Sequence, residues 1–174
     1  VEPVRELRER TGAGIMDCRE ALVSAQGDVE QAVRSLREKG MAAAAKKADR
    51  VAKDGLIHAY IHPGGRLGVL VEVNCETDFV ARTDDFKALA HQIALQIAGT
   101  DPPPRYVSRA EIPADEAERQ PGGLDAYAAK TCLLEQPFVK NTAVRVQDLL
   151  TETIAKVGEN IAIRRFSRFQ IGDA

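Results

Sequence analysis

Apolar and polar residues alternate along two neighbouring stretches, 56–62 and 67–74, separated by Pro63-Gly64-Gly65-Arg66. A period of two fits half-buried strands, and glycine supplies the positive φ of a tight turn, so the pair predicts a β-hairpin. In the second run Leu67, Val69, Val71 and Val73 share one face, while Leu70 and Glu72 take the other. A third alternating run, 161–169, predicts another strand. It sets Phe166 and Phe169 on opposite faces and its arginines on the wetter side.

Elsewhere the spacing is helical. Val4, Leu7, Arg8 and Thr11 carry a first helix that stops at Gly12. GAGIMD (12–17) reads as a tight loop. A second helix buries Cys18, Leu22 and Ala25 and ends at Gly27. Asp28 caps a third, with Gln31 three positions on as in a capping box. That helix buries Val29, Ala32, Val33 and Leu36 and is expected to stop at Gly40. Residues 41–54 are alanine-rich but too polar for a core helix, and read as a solvated connecting arm ended by Gly55. Thr83 caps a helix whose stripe is Phe86, Leu89, Ala90, Ile93 and Ile97, closed by Gly99. Residues 100–104 form a stiff linker, and 111–120 an acidic, briefly helical stretch broken by Pro121-Gly122-Gly123. Residues 124–135 are helix-like up to Pro137. Val146, Leu149, Leu150, Ile154 and Val157 mark a last helix ended by Gly158.

Strands and helices do not alternate in a βαβ rhythm. The predicted class is α+β: an N-terminal three-helix unit, a linking helix, then a core with a three-stranded, mainly antiparallel sheet and packed helices. The two units are expected at 1–54 and 55–174.

Composition narrows the function. Apolar residues make up 44% of the 174, enough for a core, and 29% charged with net −2 describes an ordinary surface. Nothing in that balance calls for nucleic acid or membrane. Aromatics are 5%, with no Trp, so base-stacking platforms are poorly supplied. No run of 18 apolar residues predicts a membrane span, and the opening residues do not read as a secretory leader. Cys18, Cys75 and Cys132 are sparse and odd in number, which is no disulfide framework and fits a reducing compartment.

Catalytic and metal chemistry find little footing. His58 and His62 sit on a strand, where four residues span about 13 Å, too far for one metal ion. His91 lies on a helix with no carboxylate motif around it. Cys75, at a strand end, reads as packed rather than nucleophilic. No GxxxxGK[ST] or strand-linked GxGxxG is present to cradle a nucleotide. No metal, no cofactor and no enzymatic activity are expected.

One stretch resists a purely structural account. NCETDFVAR (74–82) leads from a strand towards a helix and sets Phe79 beside the acid Asp78. In the plain reading, Phe79 staples the following helix to the sheet and Asp78 caps it. Together with TGAGIMDCREAL (11–22), GDVEQAV (27–33), LREKG (36–40), AAKKADRVA (44–52), LLEQPFVK (133–140) and GENIAIRRF (158–166), the stretch resembles translation elongation factor Ts, in order and over nearly the whole chain.

That resemblance implies a guanine-nucleotide exchange factor for elongation factor Tu, the GTPase that brings aminoacyl-tRNA to the ribosome. It implies a ubiquitin-associated-like fold for the three helices. Because NCETDFVAR and GENIAIRRF each occur once, it also implies the short form of the family, whose single core pairs as a homodimer. Carried over by motif, the partner-binding residues are Thr77, Asp78, Phe79 and Val80 as a wedge entering the GTPase, Ile15 and Met16 as an apolar contact on the same domain, and the hairpin at His62. For Ile15 and Met16 the alternative is packing inside the three-helix unit. The implied partners are elongation factor Tu and a second copy, with no membrane and no direct nucleic acid. The implied place is the cytoplasm, or an organelle stroma or matrix. One departure stands out: members usually carry a longer helical segment where this chain has only PGGLDAYAAKTC (121–132). Two rival functions are an adaptor built on the three-helix unit and an RNA-binding accessory using Arg164, Arg165 and Arg168.

Overall fold

The structure, a computed structural model, describes residues 2–173. Its first elements are α1 (Glu2–Thr11), α2 (Ile15–Ser24) and α3 (Val29–Ala45). Gly12 and Gly27 adopt the positive φ expected after α1 and α2. The Asp28 carboxylate accepts the Gln31 N–H at 3.0 Å and so starts α3. Leu7, Cys18, Leu22, Ala32, Val33 and Leu36 close a small core between the three helices.

Contrary to expectation, α3 does not stop at Gly40 but runs on to Ala45. A helical glycine costs only about 1 kcal/mol relative to alanine, and the alanines that follow are the best helix formers. The extension also has a partner. Gly40 faces Ala155 of a later helix, and Ala44 packs against the main core. The connecting arm is therefore half helix, followed by turns over 46–50.

The hairpin forms as predicted, from β1 (Asp54–Ile61) and β2 (Leu67–Cys75), in antiparallel register from Asp54↔Cys75 to Ile61↔Gly68. Then come α4 (Asp78–Ala81), α5 (Asp84–Gly99), a 3-10 turn at Arg109–Glu111, α6 (Ala114–Glu118) and α7 (Gly123–Thr131). The helix expected over 124–135 breaks at Cys132, where the backbone turns extended and a separate 3-10 turn, Leu133–Glu135, begins. A small hairpin, β3 (Pro137–Phe138) with β4 (Asn141–Arg145), follows without having been predicted; two residues are too few to show alternation. Finally come α8 (Val146–Val157) and β5 (Ile161–Gln170).

The sheet order is β1-β2-β5, antiparallel throughout. Its inner face carries Val69, Val71 and Val73, which pack with Phe86, Leu89, Ile93 and Ile97 of α5 and Leu150 and Ile154 of α8. Each of these buried side chains contributes on the order of 1.5–3 kcal/mol. β5 carries a bulge: Arg165 pairs with Glu72 but Ile163 pairs with Val73, so Arg164 is the extra residue. The slip moves Arg168 onto the inner face beside Phe166, where its side chain is only 14% exposed, correcting the expectation of arginine on the wet side alone.

Candidate partner-binding site

The Thr77-Asp78-Phe79 motif sits where β2 leaves the sheet. β2 ends at Cys75, whose partners in the two neighbouring strands are Asp54 and Ile161. Thr77 is extended and caps α4, its hydroxyl oxygen accepting the Val80 N–H at 3.4 Å. Thr83 then caps α5 by accepting the Phe86 N–H, and its own hydroxyl donates to the Val80 carbonyl at 2.7 Å. Two threonine caps six residues apart thus isolate a single helical turn.

That turn has an inside and an outside. Ala81 is buried and Val80 half-buried against the main core. Asp78 and Arg82 pair across the outer side at 2.8 Å. Phe79 projects outward and is 78% exposed. It does not staple α5 to the sheet. The cap of α4 is Thr77, not Asp78.

The base of the turn is held from outside the motif. The Glu159 carboxylate accepts the N–H groups of Glu76 and Thr77, each at 3.0 Å, and the Thr77 hydroxyl at 2.5 Å. In return the Glu76 carboxylate accepts the Asn160 N–H at 2.7 Å. Nothing in the sequence pattern couples residues more than eighty positions apart.

The other predicted contacts lie on different parts of the molecule. Ile15 and Met16 belong to the first turn of α2, not to the loop, which shrinks to Gly12-Ala13-Gly14. They are 57% and 65% exposed, so neither packs inside the three-helix unit. His62 lies past the far end of β1, with Nδ1 3.0 Å from the Tyr60 hydroxyl oxygen. At about 3.3 Å per residue the length of β2 sets this hairpin roughly 26 Å from Cys75, the strand end that leads to Thr77. The structure therefore does not bring His62 together with Phe79, and one partner touching both must span the sheet.

Cys75 is buried and donates its thiol to the Thr77 carbonyl. Burial, reinforced by the Glu159 and Asp54 carboxylates, pushes that thiol up to about 11, so it stays protonated and inert. His58 does meet His91, with ring nitrogens 3.1 Å apart, a pair that sequence reasoning missed because sheet and helix join only in the fold. Burial, then the neighbouring His91, lower the His58 pKa. Among the described residues no group of three or more His, Cys, Asp or Glu side chains is arranged to hold a metal ion, and no helix is long and apolar enough to cross a membrane.

Comparison with known proteins agrees in one direction. The family model for elongation factor Ts matches residues 14–121. The elongation factor Ts of Heliobacterium modesticaldum is 54% identical over 98% of this chain and 88% of its own length. That of Carboxydothermus hydrogenoformans is 53% identical with the same coverage, and that of Herpetosiphon aurantiacus 50% identical over 99% of this chain and 97% of its own. The first alignment runs over 192 positions against 174 residues here, so relatives carry residues that this chain lacks. With the motifs, the α+β fold and this identity over nearly its full length, the chain belongs to the elongation factor Ts family.

Proposed function

We propose that this chain is the guanine-nucleotide exchange factor of elongation factor Tu and that it works by binding, with no bond made or broken. The observation that carries the reading is Phe79, an exposed aromatic on a turn whose other apolar side chains, Val80 and Ala81, point inward. An exchange factor must prefer the nucleotide-free GTPase over the loaded one, and the coupling is reciprocal. A release rate raised ~10⁴-fold corresponds to about 5.5 kcal/mol of differential stabilisation. A benzyl side chain entering a pocket that opens only when the magnesium and phosphate site loosens supplies on the order of 2–4 kcal/mol of it. Thr77 and Asp78 present the ring, Val80 anchors it, and Ile15 and Met16 add apolar contact from the helical unit. In this reading units 1–54 and 55–174 carry separate parts of one interface, with His62 at its far edge.

A homodimer fits the other side of the sheet. Across the three strands its outer face carries the rows Ala59–Leu70–Ser167 and Ile61–Gly68–Phe169, with Ile57 and Ile171 at the margins. Ile57, Ile61, Leu70, Phe169 and Ile171 are all exposed. A second copy laid face to face buries this patch on both chains at once, a self-complementary contact of the kind a two-fold axis requires. We place the protein in the cytoplasm. RNA binding is the weaker reading: Arg165 is paired with Glu72 at 2.7 Å and Arg168 with Asp173 at 3.0 Å. The adaptor reading leaves Phe79 unused.

The test is release of labelled GDP from elongation factor Tu with and without this chain. Acceleration by orders of magnitude is expected; an unchanged rate overturns the proposal.

A further inference from the structure

Among the described residues outside the segment 76–82, Glu159 makes the most hydrogen bonds to that segment. Its two oxygens collect three donors from the two residues that join β2 to α4: the N–H of Glu76, the N–H of Thr77 and the Thr77 hydroxyl. These are charge-assisted bonds, roughly twice the strength of neutral ones. The same hydroxyl oxygen caps α4, so Glu159 and the start of the helical turn share one atom.

Glu159 is itself fixed on both sides. Gly158 closes α8 in the left-handed conformation at φ +77 and turns the chain towards β5. Asn160, buried, donates its N–H to Glu76 and its side-chain amide to the carbonyls of Ala48 at 3.3 Å and Arg50 at 2.8 Å. Thus the junction between α8 and β5, the base of the wedge and the connector from the helical unit form one hydrogen-bonded knot. Arg50 completes it with an ion pair to Glu76 at 3.6 Å.

We infer that Glu159 is a positioning residue for nucleotide exchange: it sets the angle at which the turn bearing Phe79 leaves the sheet, and touches neither GTPase nor nucleotide. The inference rests on the wedge reading above. Val80, Ala81 and the Thr83 hydroxyl hold the far side of the turn against the core, and the three bonds to one carboxylate fix its base, so the two together set the direction of the ring.

The test is a double-mutant cycle on the full chain, reading the rate of GDP release from elongation factor Tu at saturating factor. Phe79→Ala, Glu159→Ala and the combination are compared, with amide hydrogen exchange at Glu76 and Thr77 measured in the free chain. Glu159→Ala is expected to speed exchange of those two amides and to slow GDP release about tenfold or more, as loss of charged hydrogen bonds predicts. In the Phe79→Ala background the same change is expected to do nothing further. Glu159→Gln, which keeps one acceptor oxygen, is expected to fall between and replaces Glu159→Ala in the cycle should the alanine variant not fold. Equal slowing in both backgrounds, or no slowing beside a defective Phe79→Ala, overturns the inference and leaves the wedge standing. A fully active Phe79→Ala sinks the wedge reading, and the inference with it.

Discussion

Gly55→Ala is the substitution whose cost follows most directly from the geometry. Gly55 pairs with Asn74 on the central strand, two residues before the loop that leads to Phe79. A Cβ there would stand 2.1 Å from the Val73 carbonyl oxygen and 2.8 Å from the Asn74 Cα, both backbone atoms. The φ of +146° is itself one that L side chains rarely adopt. Backbone strain of that kind costs about 1–3 kcal/mol, and prising two paired strands apart to relieve overpacking about 1–3 more. A loss of roughly 2–6 kcal/mol is expected, against a typical total stability of about 5–15. Urea unfolding at one fixed protein concentration measures it, with Gly68→Ala as the control on the same sheet. At Gly68 a Cβ meets the tip of the exposed Ile61 side chain at 2.9 Å and the Tyr60 carbonyl oxygen at an ordinary 3.9 Å, so its expected cost is below about 1 kcal/mol. A Gly55→Ala midpoint indistinguishable from wild type would refute the close approach.

The remaining predictions concern association and pH. Leu70→Lys or Phe169→Glu places a charge on the apolar outer face without touching the core, and light scattering at micromolar concentration is expected to show monomer where wild type shows dimer; an unchanged mass contradicts that interface. Burial, then the neighbouring His91, lower the His58 pKa in the fold below the ordinary imidazole value of about 6.5. Its contribution to stability is full above that value and is lost as pH falls from it towards the lowered one. Wild type is expected to lose more stability than His58→Gln between pH 7.5 and 5.5, and equal losses would dismiss the effect.

How much was legible in advance depended on how local each feature was. Alternation at 56–62, 67–74 and 161–169 located three strands, and the stripe from Phe86 to Ile97 located α5, because burial on one face writes itself into a short window. The Thr83 and Asp28 caps were legible for the same reason. Gly40 misled, since a glycine that ends one helix is tolerated in another when its turn packs against α8. The reading of Gly55 as a mere stop missed its closeness to Val73. The bulge at Arg164 reversed the face of Arg168, a phase slip that period-two reasoning cannot see. Of the site, the motif pointed to Thr77, Asp78 and Phe79, but not to Glu159 or Asn160. Both lie in GENIAIRRF (158–166), one of the motifs that carried the resemblance, but nothing in that motif pairs them with residues 76 and 77, more than eighty positions away.

The central claim is that one exposed ring does the work. Phe79→Ala removes a side chain that is 78% exposed in the free chain, so stability is expected to stay within about 0.5 kcal/mol of wild type. If the ring anchors the interface as proposed, losing about 2–4 kcal/mol is expected to slow GDP release from elongation factor Tu between roughly 30-fold and 1,000-fold. The decisive measurement is that release rate at saturating concentrations of variant and wild type: a folded but slow variant is the predicted result, and equal rates would contradict it.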